Sequence, residues 1–320
     1  MPMKKIIVLI VLFASCSKVI EDQKEIIEDI IIVPIIEDQK EITDQVPIED
    51  PKEITDQVPI KEDQVPIEDP ITDPIPPIVV YKGSYTVRSQ SDINEIEQYT
   101  HIEGHLFIGN VNMISDLNSL EGLNNLKTIG GYLTIYNNGV TSLKALNNIE
   151  AIGGNLSIQS NYALTSLDGL NDLETIGGFL YIYNNDNLRS LDGLNSLETI
   201  GGGLYIQSND NLRSLGGLNS LETIGGDLHI KSNSSLTSLE ALNNIEAIGG
   251  NLHIQSNDNL RSLAGFNDLE TIGGFFWIES NSSLTSLAGF HNLETIGGSL
   301  YINRNDRLSQ NEIDMFKSDF

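Results

Sequence analysis

Apolar and polar residues alternate in a pattern that returns about every 24 residues over most of the chain, which is within the range of solenoid repeats. The phrase Ile-Gly-Gly marks this pattern, and a looser Ile102-Glu103-Gly104 precedes it. The phrase begins at Ile129, Ile152, Ile176, Ile200, Ile224, Ile248, Ile272 and Ile296. The intervals are equal from Ile152 onward, and the one before it is a single residue shorter. A fixed period of this kind predicts a solenoid, in which each repeat forms one coil stacked on the next.

Within one coil the apolar positions predict a strand followed by a return segment. In residues 153–176, GGNLSIQSNYALTSLDGLNDLETI, Leu156 and Ile158 alternate with polar residues, which is typical of a strand with one buried face. Gly153-Gly154 would turn the chain into that strand. The remaining apolar residues follow at steps of three and predict an irregular or tight helical return: Leu164, Leu167, Leu170, Leu173 and Ile176. Seven inward side chains per coil therefore predict one core shared by about nine coils.

The two open ends of such a core require caps, because a single coil buries too little apolar surface to be stable alone. At the N-terminal end, residues 85–101 include Asp92 with Glu95 three residues later, which predicts a capped helix. At the C-terminal end, Ser309 and Glu312 predict a second helix within residues 306–320. The repeat domain is thus expected to span residues 81–320, with a short helical cap at each end.

One asparagine recurs after each predicted strand. This column consists of Asn138, Asn161, Asn185, Asn209, Asn233, Asn257, Asn281 and Asn305. An amide both donates and accepts hydrogen bonds, so stacked copies can satisfy one another and the backbone at a tight corner. We therefore expect a structural asparagine ladder. A second column in the return is expected to do similar work: Asn147, Asn171, Asn195, Asn219, Asn243 and Asn267.

The phrase I-x-G-x-L-x-I-x-x-N with leucine-rich returns, preceded by a short helical segment in 92-DINEIEQYTHIEGHLFI-108, resembles the receptor L domain, a relative of leucine-rich repeats. The resemblance covers about residues 85–308. It implies a mainly β, right-handed β-solenoid that serves in ligand binding and cell-surface recognition. The chain differs from animal receptor members in lacking disulfides and in its regular 24-residue coil. Bacterial surface proteins with such repeats are the closer comparison, and no particular ligand follows.

The N-terminus has the features of a lipoprotein leader. Lys4 and Lys5 precede an apolar run from Ile6 to Ala14, which is too short to cross a bilayer that needs about 20 residues. This arrangement predicts a signal peptide over residues 1–15. The ending Phe13-Ala14-Ser15-Cys16 resembles a bacterial lipobox, which implies cleavage before Cys16 and lipidation of that residue. An uncleaved membrane anchor or a buried cysteine is the alternative.

Residues 16–80 are predicted to form an acidic stalk rich in proline and isoleucine. Residues 18–80 hold 18 Asp and Glu against 5 Lys, and they repeat the phrases EDQKEI, ITDQVPI and VPIEDP. Frequent proline and like charges favour an extended, disordered chain. The stalk would hold the repeat domain away from the membrane to which the lipid anchors it.

Charge and cysteine content exclude several classes of function. The chain carries a net charge of −27, and −16 remains for residues 81–320 once the stalk and the two leader lysines are set aside. Such a surface repels phosphate backbones, so no nucleic-acid partner is expected. The only cysteine is Cys16, which excludes a disulfide framework and a multi-cysteine metal site. No cofactor is expected, and the domain is expected to be a monomer.

An outward column of the predicted strands carries the candidate ligand-binding surface. In 273-GGFFWIESN-281, the residue between Phe276 and Ile278 is the only tryptophan, and this position varies between coils while its frame does not. The candidates are Tyr181, Tyr205, His229, His253, Trp277 and Tyr301, with Phe179, Tyr183 and Phe275 at neighbouring outward positions. Rigid aromatic side chains beside Asn, Gln and Ser suit a protein or a sugar chain. Cross-strand reinforcement of the sheet is the competing structural interpretation.

Two other chemistries receive less support. His229 and His253 lie one coil apart, but strand geometry places Asp227 about 6–7 Å away, so no close third ligand completes a zinc site and no metal is assigned. Asp227 and Glu279 are the acidic residues of the aromatic sheet. Strand geometry separates them by about 16 Å, farther than the roughly 5–9.5 Å between glycosidase carboxylates. Catalysis is therefore not expected.

The sequence thus predicts a lipid-anchored protein of the bacterial cell envelope, in the outer membrane and exposed at the surface. Its repeat domain would serve in recognition or adhesion, binding a protein or a glycan through the outward sheet. The alternatives are a purely structural spacer of the envelope and, third, a polysaccharide-active enzyme on a β-helix.

Overall fold

The repeating pattern folds into a stack of parallel strands. The computed structural model describes residues 77–110 and 117–320. The signal peptide predicted over residues 1–15, the lipidation at Cys16 and the stalk through residue 76 lie outside the described residues. Within them, no helix combines the length and apolar character needed to cross a bilayer.

Each coil contributes one strand to each of two parallel sheets. The long-strand sheet contains β2 (Tyr85–Val87), β4 (Leu106–Gly109), β6 (Leu133–Tyr136), β8 (Leu156–Gln159), β10 (Leu180–Tyr183), β12 (Leu204–Gln207), β14 (Leu228–Lys231), β16 (Leu252–Gln255), β18 (Phe276–Glu279) and β20 (Leu300–Asn303). The short-strand sheet contains β1 (Val80–Tyr81), β3 (His101–Ile102), β5 (Thr128–Ile129), β7 (Ala151–Ile152), β9 (Thr175–Ile176), β11 (Thr199–Ile200), β13 (Thr223–Ile224), β15 (Ala247–Ile248), β17 (Thr271–Ile272) and β19 (Thr295–Ile296). Each strand pairs with its equivalent in the next coil, so equivalent residues of successive coils lie side by side.

These sheets confirm the predicted mainly β solenoid of about nine coils. The short-strand sheet was not predicted. The isoleucine of β9, for example, was assigned to the return because two residues are too few to show the alternation of a strand. The first coil contributes β1 and β2, and β2 lies within residues 85–101, which were predicted to be a helical cap.

The core runs through the middle of the stack. All seven predicted inward side chains of the 153–176 coil have no exposed surface: Leu156, Ile158, Leu164, Leu167, Leu170, Leu173 and Ile176. Toward the C-terminal end, phenylalanine replaces some of these aliphatic residues. The rings of Phe266 and Phe290 stack with their centroids 5.1 Å apart, and Phe276 meets Phe290 edge-on at the same distance. Stacked coils therefore share one continuous apolar interior.

A helix lies near each end of the stack. Helix α1 (Gln90–Ile96) buries Ile93 and Ile96. Its N-cap is Ser89, whose hydroxyl accepts from the backbone N–H of Asp92 while the Asp92 carboxylate accepts from the backbone N–H of Ser89. The prediction that Asp92 and Glu95 form the capping box was therefore wrong by three residues. Glu95 instead accepts a hydrogen bond from the Tyr85 hydroxyl at 2.7 Å.

The C-terminal helix α2 (Gln310–Lys317) begins at the predicted residue. Ser309 is its N-cap and accepts from the backbone N–H of Glu312. The Glu312 carboxylate accepts from the backbone N–H of Leu287 at 2.7 Å. The helix start is thus tied to the return of the last complete coil.

The asparagine column forms a continuous ladder from Asn161 to Asn305. Each side-chain amide donates to an isoleucine carbonyl about one coil earlier at 2.9–3.0 Å. Each side-chain oxygen from Asn185 onward accepts from the backbone N–H of the preceding asparagine at 2.9–3.1 Å. The residue before each asparagine turns the corner in the left-handed region, with φ between 46° and 57°.

The ladder is interrupted between Asn138 and Asn161. The amide nitrogen of Asn138 and the side-chain oxygen of Asn161 are buried, and neither has a hydrogen-bond partner in the described residues. Asn138 instead accepts from the backbone N–H of Val140 at 2.9 Å. The interval between these two asparagines is a single residue shorter than the intervals that follow it in the column.

A single residue decides the shape of the return. In six coils it is a glycine whose φ lies between 100° and 131°, in the left-handed region that favours glycine: Gly122, Gly169, Gly193, Gly217, Gly265 and Gly289. Alanine occupies this position at Ala145 and Ala241. There the chain forms short 3-10 helices, Lys144–Leu146 and Glu240–Leu242. The return therefore adopts two conformations within one stack, according to whether the position carries a Cβ.

Candidate ligand-binding face

The outward side of the long-strand sheet presents three columns of side chains. Strand pairing places the central residues of six successive strands side by side: Tyr181, Tyr205, His229, His253, Trp277 and Tyr301. Equivalent positions on neighbouring strands are about 4.8 Å apart. We call these six residues the aromatic stack.

The rings of the aromatic stack touch without interruption. Their centroids are separated by 4.9, 4.7, 5.2, 5.3 and 5.1 Å in order along the chain. Tyr181 and Tyr205 are nearly parallel, with 24° between their planes, whereas His229 and His253 meet at 77°. Distances in this range are favourable for aromatic pairs, so the stack also strengthens the sheet.

Three further candidates flank the stack and are more exposed than most of its members. Phe179 and Phe275 lie just before their strands and are 36% and 46% exposed, and Tyr183 is 42% exposed. The ring centroids of Phe179 and Tyr181 are 5.7 Å apart, and those of Phe275 and Tyr301 are 6.3 Å apart. The structure therefore gathers all nine candidate residues on one face.

Asp227 lies at the centre of a hydrogen-bond network on this face. One of its oxygens accepts from the Tyr205 hydroxyl at 3.0 Å, and the other accepts from the backbone and side-chain N–H groups of Asn251 at 2.7 and 3.0 Å. The same carboxylate lies 3.9 Å from His229 Nε2. The larger separation predicted from strand geometry was wrong, because it measured backbone positions two residues apart, whereas the ends of the two side chains lie 3.9 Å from each other.

The two histidines do not gather a metal-ligand set. His229 has one carboxylate beside it, and His253 Nε2 is buried with no hydrogen-bond partner in the described residues. No group of three or more His, Cys, Asp or Glu residues in this part of the chain is arranged to hold a metal ion.

Glu279 organises the C-terminal half of the face. It accepts from the indole N–H of Trp277 at 3.1 Å and from the side-chain amide of Gln255 at 3.3 Å. The Arg304 guanidinium lies 3.7 Å from its other oxygen. These contacts fix the orientation of the indole. The hydrogen bonds of Glu279 share no residue with those of Asp227.

Burial changes the acid–base behaviour of the stack. It raises the pKa of Tyr205 to about 12, with the hydrogen bond to Asp227 as a further cause. Burial also lowers the pKa of His229, although the negative charge of the Asp227 carboxylate acts in the opposite direction and favours the protonated imidazole. It also lowers the pKa of His253, and the neighbouring His229 adds to that effect. Both imidazoles are therefore neutral at pH 7.

We expect the domain to lose stability as the pH falls through 6.5. The folded-state pKa of His229 and of His253 lies below the ordinary value of 6.5, so the unfolded chain binds protons that the folded chain does not. The stability due to neutral imidazoles is present above that pH and is lost below it. Thermal unfolding at pH 7.5 and pH 5 should show a smaller decrease for the double variant His229→Gln and His253→Gln than for the wild type. An equal decrease would contradict the assignment.

The outward face continues toward the N-terminus beyond the predicted site. His105 stacks on Tyr132 with centroids 4.5 Å apart, and its Nδ1 accepts from the backbone N–H of Tyr132 at 2.8 Å. On the same face, a depression of about 310 Å³ is lined by Phe107, Thr134 and Tyr136. Phe107, Tyr132 and Tyr136 fall in the outward columns that the period of the repeat indicates. His105 was missed, although the same period places it in the column of Tyr132.

Comparison with known proteins identifies the repeat. A family model described as the receptor L domain matches residues 99–168, 150–240 and 222–319, which together span residues 99–319. A comparison with curated protein sequences gave no match.

Proposed function

The chain belongs to the receptor L domain family, and on that premise we propose that it is a recognition protein that binds its ligand through the outward face of the long-strand sheet. A receptor L-domain solenoid fits a ligand-binding role. The observation that carries the proposal is the unbroken aromatic stack with exposed rings at its flanks. Contiguous exposed apolar side chains on a domain surface commonly mark interaction sites.

Exposed apolar side chains concentrate on this face. Eleven large hydrophobic side chains are exposed in the described residues, and six of them lie here: Phe107, Tyr132, Phe179, Tyr183, Phe275 and Tyr301. Their strands are paired on both sides, except at the ends of the sheet, so the side chains project from a rigid surface. Such a surface binds with little loss of conformational entropy. If the aromatic residues only reinforced the sheet, the rings at the flanks would not need to be exposed.

Removing the exposed rings should abolish binding without unfolding the domain. The variant combines Phe179→Ser, Tyr183→Ser, Phe275→Ser and Tyr301→Ser in the full chain, and it leaves the half-buried members of the stack in place. Tyr162→Ser is the matched control, because Tyr162 is 43% exposed but lies outside the strands of this sheet. Binding to arrays of glycans and extracellular-matrix proteins is measured beside the thermal midpoint.

The outcomes separate recognition from a purely structural role. Binding lost at an unchanged midpoint supports recognition on this face. A midpoint that falls together with binding assigns the rings to reinforcement of the sheet, and binding that persists places the site away from these four rings. Catalysis forms no part of the proposal, because Asp227 and Glu279 are held in two different hydrogen-bond networks.

We place this recognition domain on a lipid anchor at the bacterial cell surface, in the outer membrane, with residues 16–76 as a spacer, because Val80 already pairs in strand β1 of the repeat domain. The support is the short apolar leader that ends at Cys16 and the acidic composition of the spacer. Cys16→Ser should abolish incorporation of a labelled fatty acid and release the protein from membranes. Lys18→Gln, which lies outside the Phe13-Ala14-Ser15-Cys16 ending, serves as the control. Unchanged labelling of the Cys16→Ser variant would rule out this anchor.

A further inference from the structure

The aromatic face differs in charge from the rest of the repeat domain. Between Phe179 and Arg304 it carries two carboxylates, Asp227 and Glu279, and two cations, Lys231 and Arg304. The face is thus nearly neutral, whereas residues 81–320 carry a net charge of −16. A polyanion would be repelled by the domain as a whole, and a basic protein would be attracted to its acidic surfaces in preference to this face. The charge distribution favours an uncharged ligand here.

The exposed rings are arranged around a polar gap. Phe179 and Phe275 occupy equivalent positions four coils apart, which separates them by about 19 Å at the strand spacing. The equivalent positions between them are Gly203, Asp227 and Asn251. An apolar ring at each end of a polar segment suits an elongated ligand that has both apolar faces and polar edges.

A chain of sugars has both properties. The C–H face of a pyranose packs on aromatic rings, and its equatorial hydroxyls exchange hydrogen bonds with carboxylates and amides. Gln207 and Gln255 supply amides, and Lys231 supplies an ammonium group, on the far side of the aromatic stack from Asp227 and Asn251. The repeat of an extended β-linked glycan is close to the strand spacing of about 4.8 Å, so about one sugar would lie over each coil.

We infer that this face binds a neutral, linear, β-linked glycan that lies along the axis of the solenoid, with sugars over Phe179 and Phe275 and about five units between its ends. The inference rests on the proposed function and names its ligand class. A protein ligand would need a continuous exposed apolar centre at the interface, whereas here the central rings Tyr205 and His229 are only partly exposed and lie beside the hydrogen-bonded Asp227 carboxylate.

The test is calorimetric titration of the full chain with oligosaccharides of β-linked glucans, chitin and mannans, from disaccharides to hexasaccharides. Polygalacturonate fragments of equal length serve as the anionic control. At least one neutral series should bind, and its affinity should rise with length up to about five sugars and then level off. Phe179→Ala and Phe275→Ala should each weaken binding about tenfold, while Tyr162→Ala leaves it unchanged.

Different results would contradict the glycan inference and the proposed recognition function. If no neutral series binds, or if polygalacturonate binds equally well, the assignment of a neutral glycan as the ligand is overturned. If matrix proteins on the array then bind and the variant with four serines does not, recognition on this face stands with a protein as ligand. Glycan binding that is indifferent to Phe179→Ala and Phe275→Ala overturns the placement on this face. An affinity that does not depend on length overturns the axial orientation.

Discussion

Replacing Asn209 by alanine is expected to lower the free energy of unfolding by about 3–5 kcal/mol, because several buried groups lose their partners at once. The Asn209 side chain has no exposed surface. Its amide donates to the carbonyls of Ile182 and Gln207 at 2.9 and 3.1 Å, and its backbone N–H donates to Asn233 at 3.1 Å. Its side-chain oxygen accepts from the backbone N–H of Asn185 at 3.1 Å. Alanine keeps only the two backbone bonds, from its N–H to Asn233 and from the Leu212 N–H to its carbonyl.

Asn138→Ala provides the matched control. Asn138 is only 3% exposed and belongs to the same column, but its amide has no partner in the described residues and its side chain accepts only from Val140. Its loss is expected to cost about 1 kcal/mol. Urea unfolding followed through the fluorescence of the only tryptophan, Trp277, measures both variants. Equal costs would show that hydrogen bonding between coils does not account for the stability contributed by the ladder.

The features that repeat in every coil could be predicted from the sequence. Leu156 and Ile158 alternate with polar residues in one coil, and the same frame recurs at fixed spacing, so strand, core and stacking follow together. The aromatic stack is a further consequence, because strands in register bring Tyr181 beside Tyr205 whatever else the chain does. Repetition turns a weak local signal into a strong one.

Features that occur once, or that span only two residues, could not be predicted in the same way. The N-cap of helix α1 is Ser89 rather than Asp92, because the Asp92 carboxylate accepts from the backbone N–H groups of Arg88 and Ser89, both at 2.8 Å. The approach of Asp227 to His229 depends on side-chain rotamers, which strand spacing does not determine. The candidate site was therefore predicted as a set of positions, and its two networks became evident only in the structure.

Gly201→Ala is expected to cost at least about 3 kcal/mol of stability, because its Cβ would overlap the backbone of the neighbouring coil. A Cβ at this position would lie 2.3 Å from the carbonyl oxygen of Gly177. Neither coil can easily move away. The backbone N–H of Gly201 donates to the carbonyl of Ile176, and that of Gly177 donates to the carbonyl of Ile152, both at 2.8 Å. The first glycine of each Gly-Gly pair is therefore required by the close approach of coils rather than by a special backbone angle.

Gly216→Ala distinguishes this steric effect from a general intolerance of alanine in the stack. A Cβ at Gly216 would approach other atoms no closer than 3.4 Å, and its φ lies outside the left-handed region. Alanine already occupies the equivalent position at Ala264 and Ala288. The variant should be neutral or up to about 1 kcal/mol more stable, because alanine restricts the unfolded chain more than glycine does. Equal urea midpoints for Gly201→Ala and the wild type would mean that adjacent coils can separate at this corner, and the spacing that aligns the aromatic stack would then not depend on the glycine pairs.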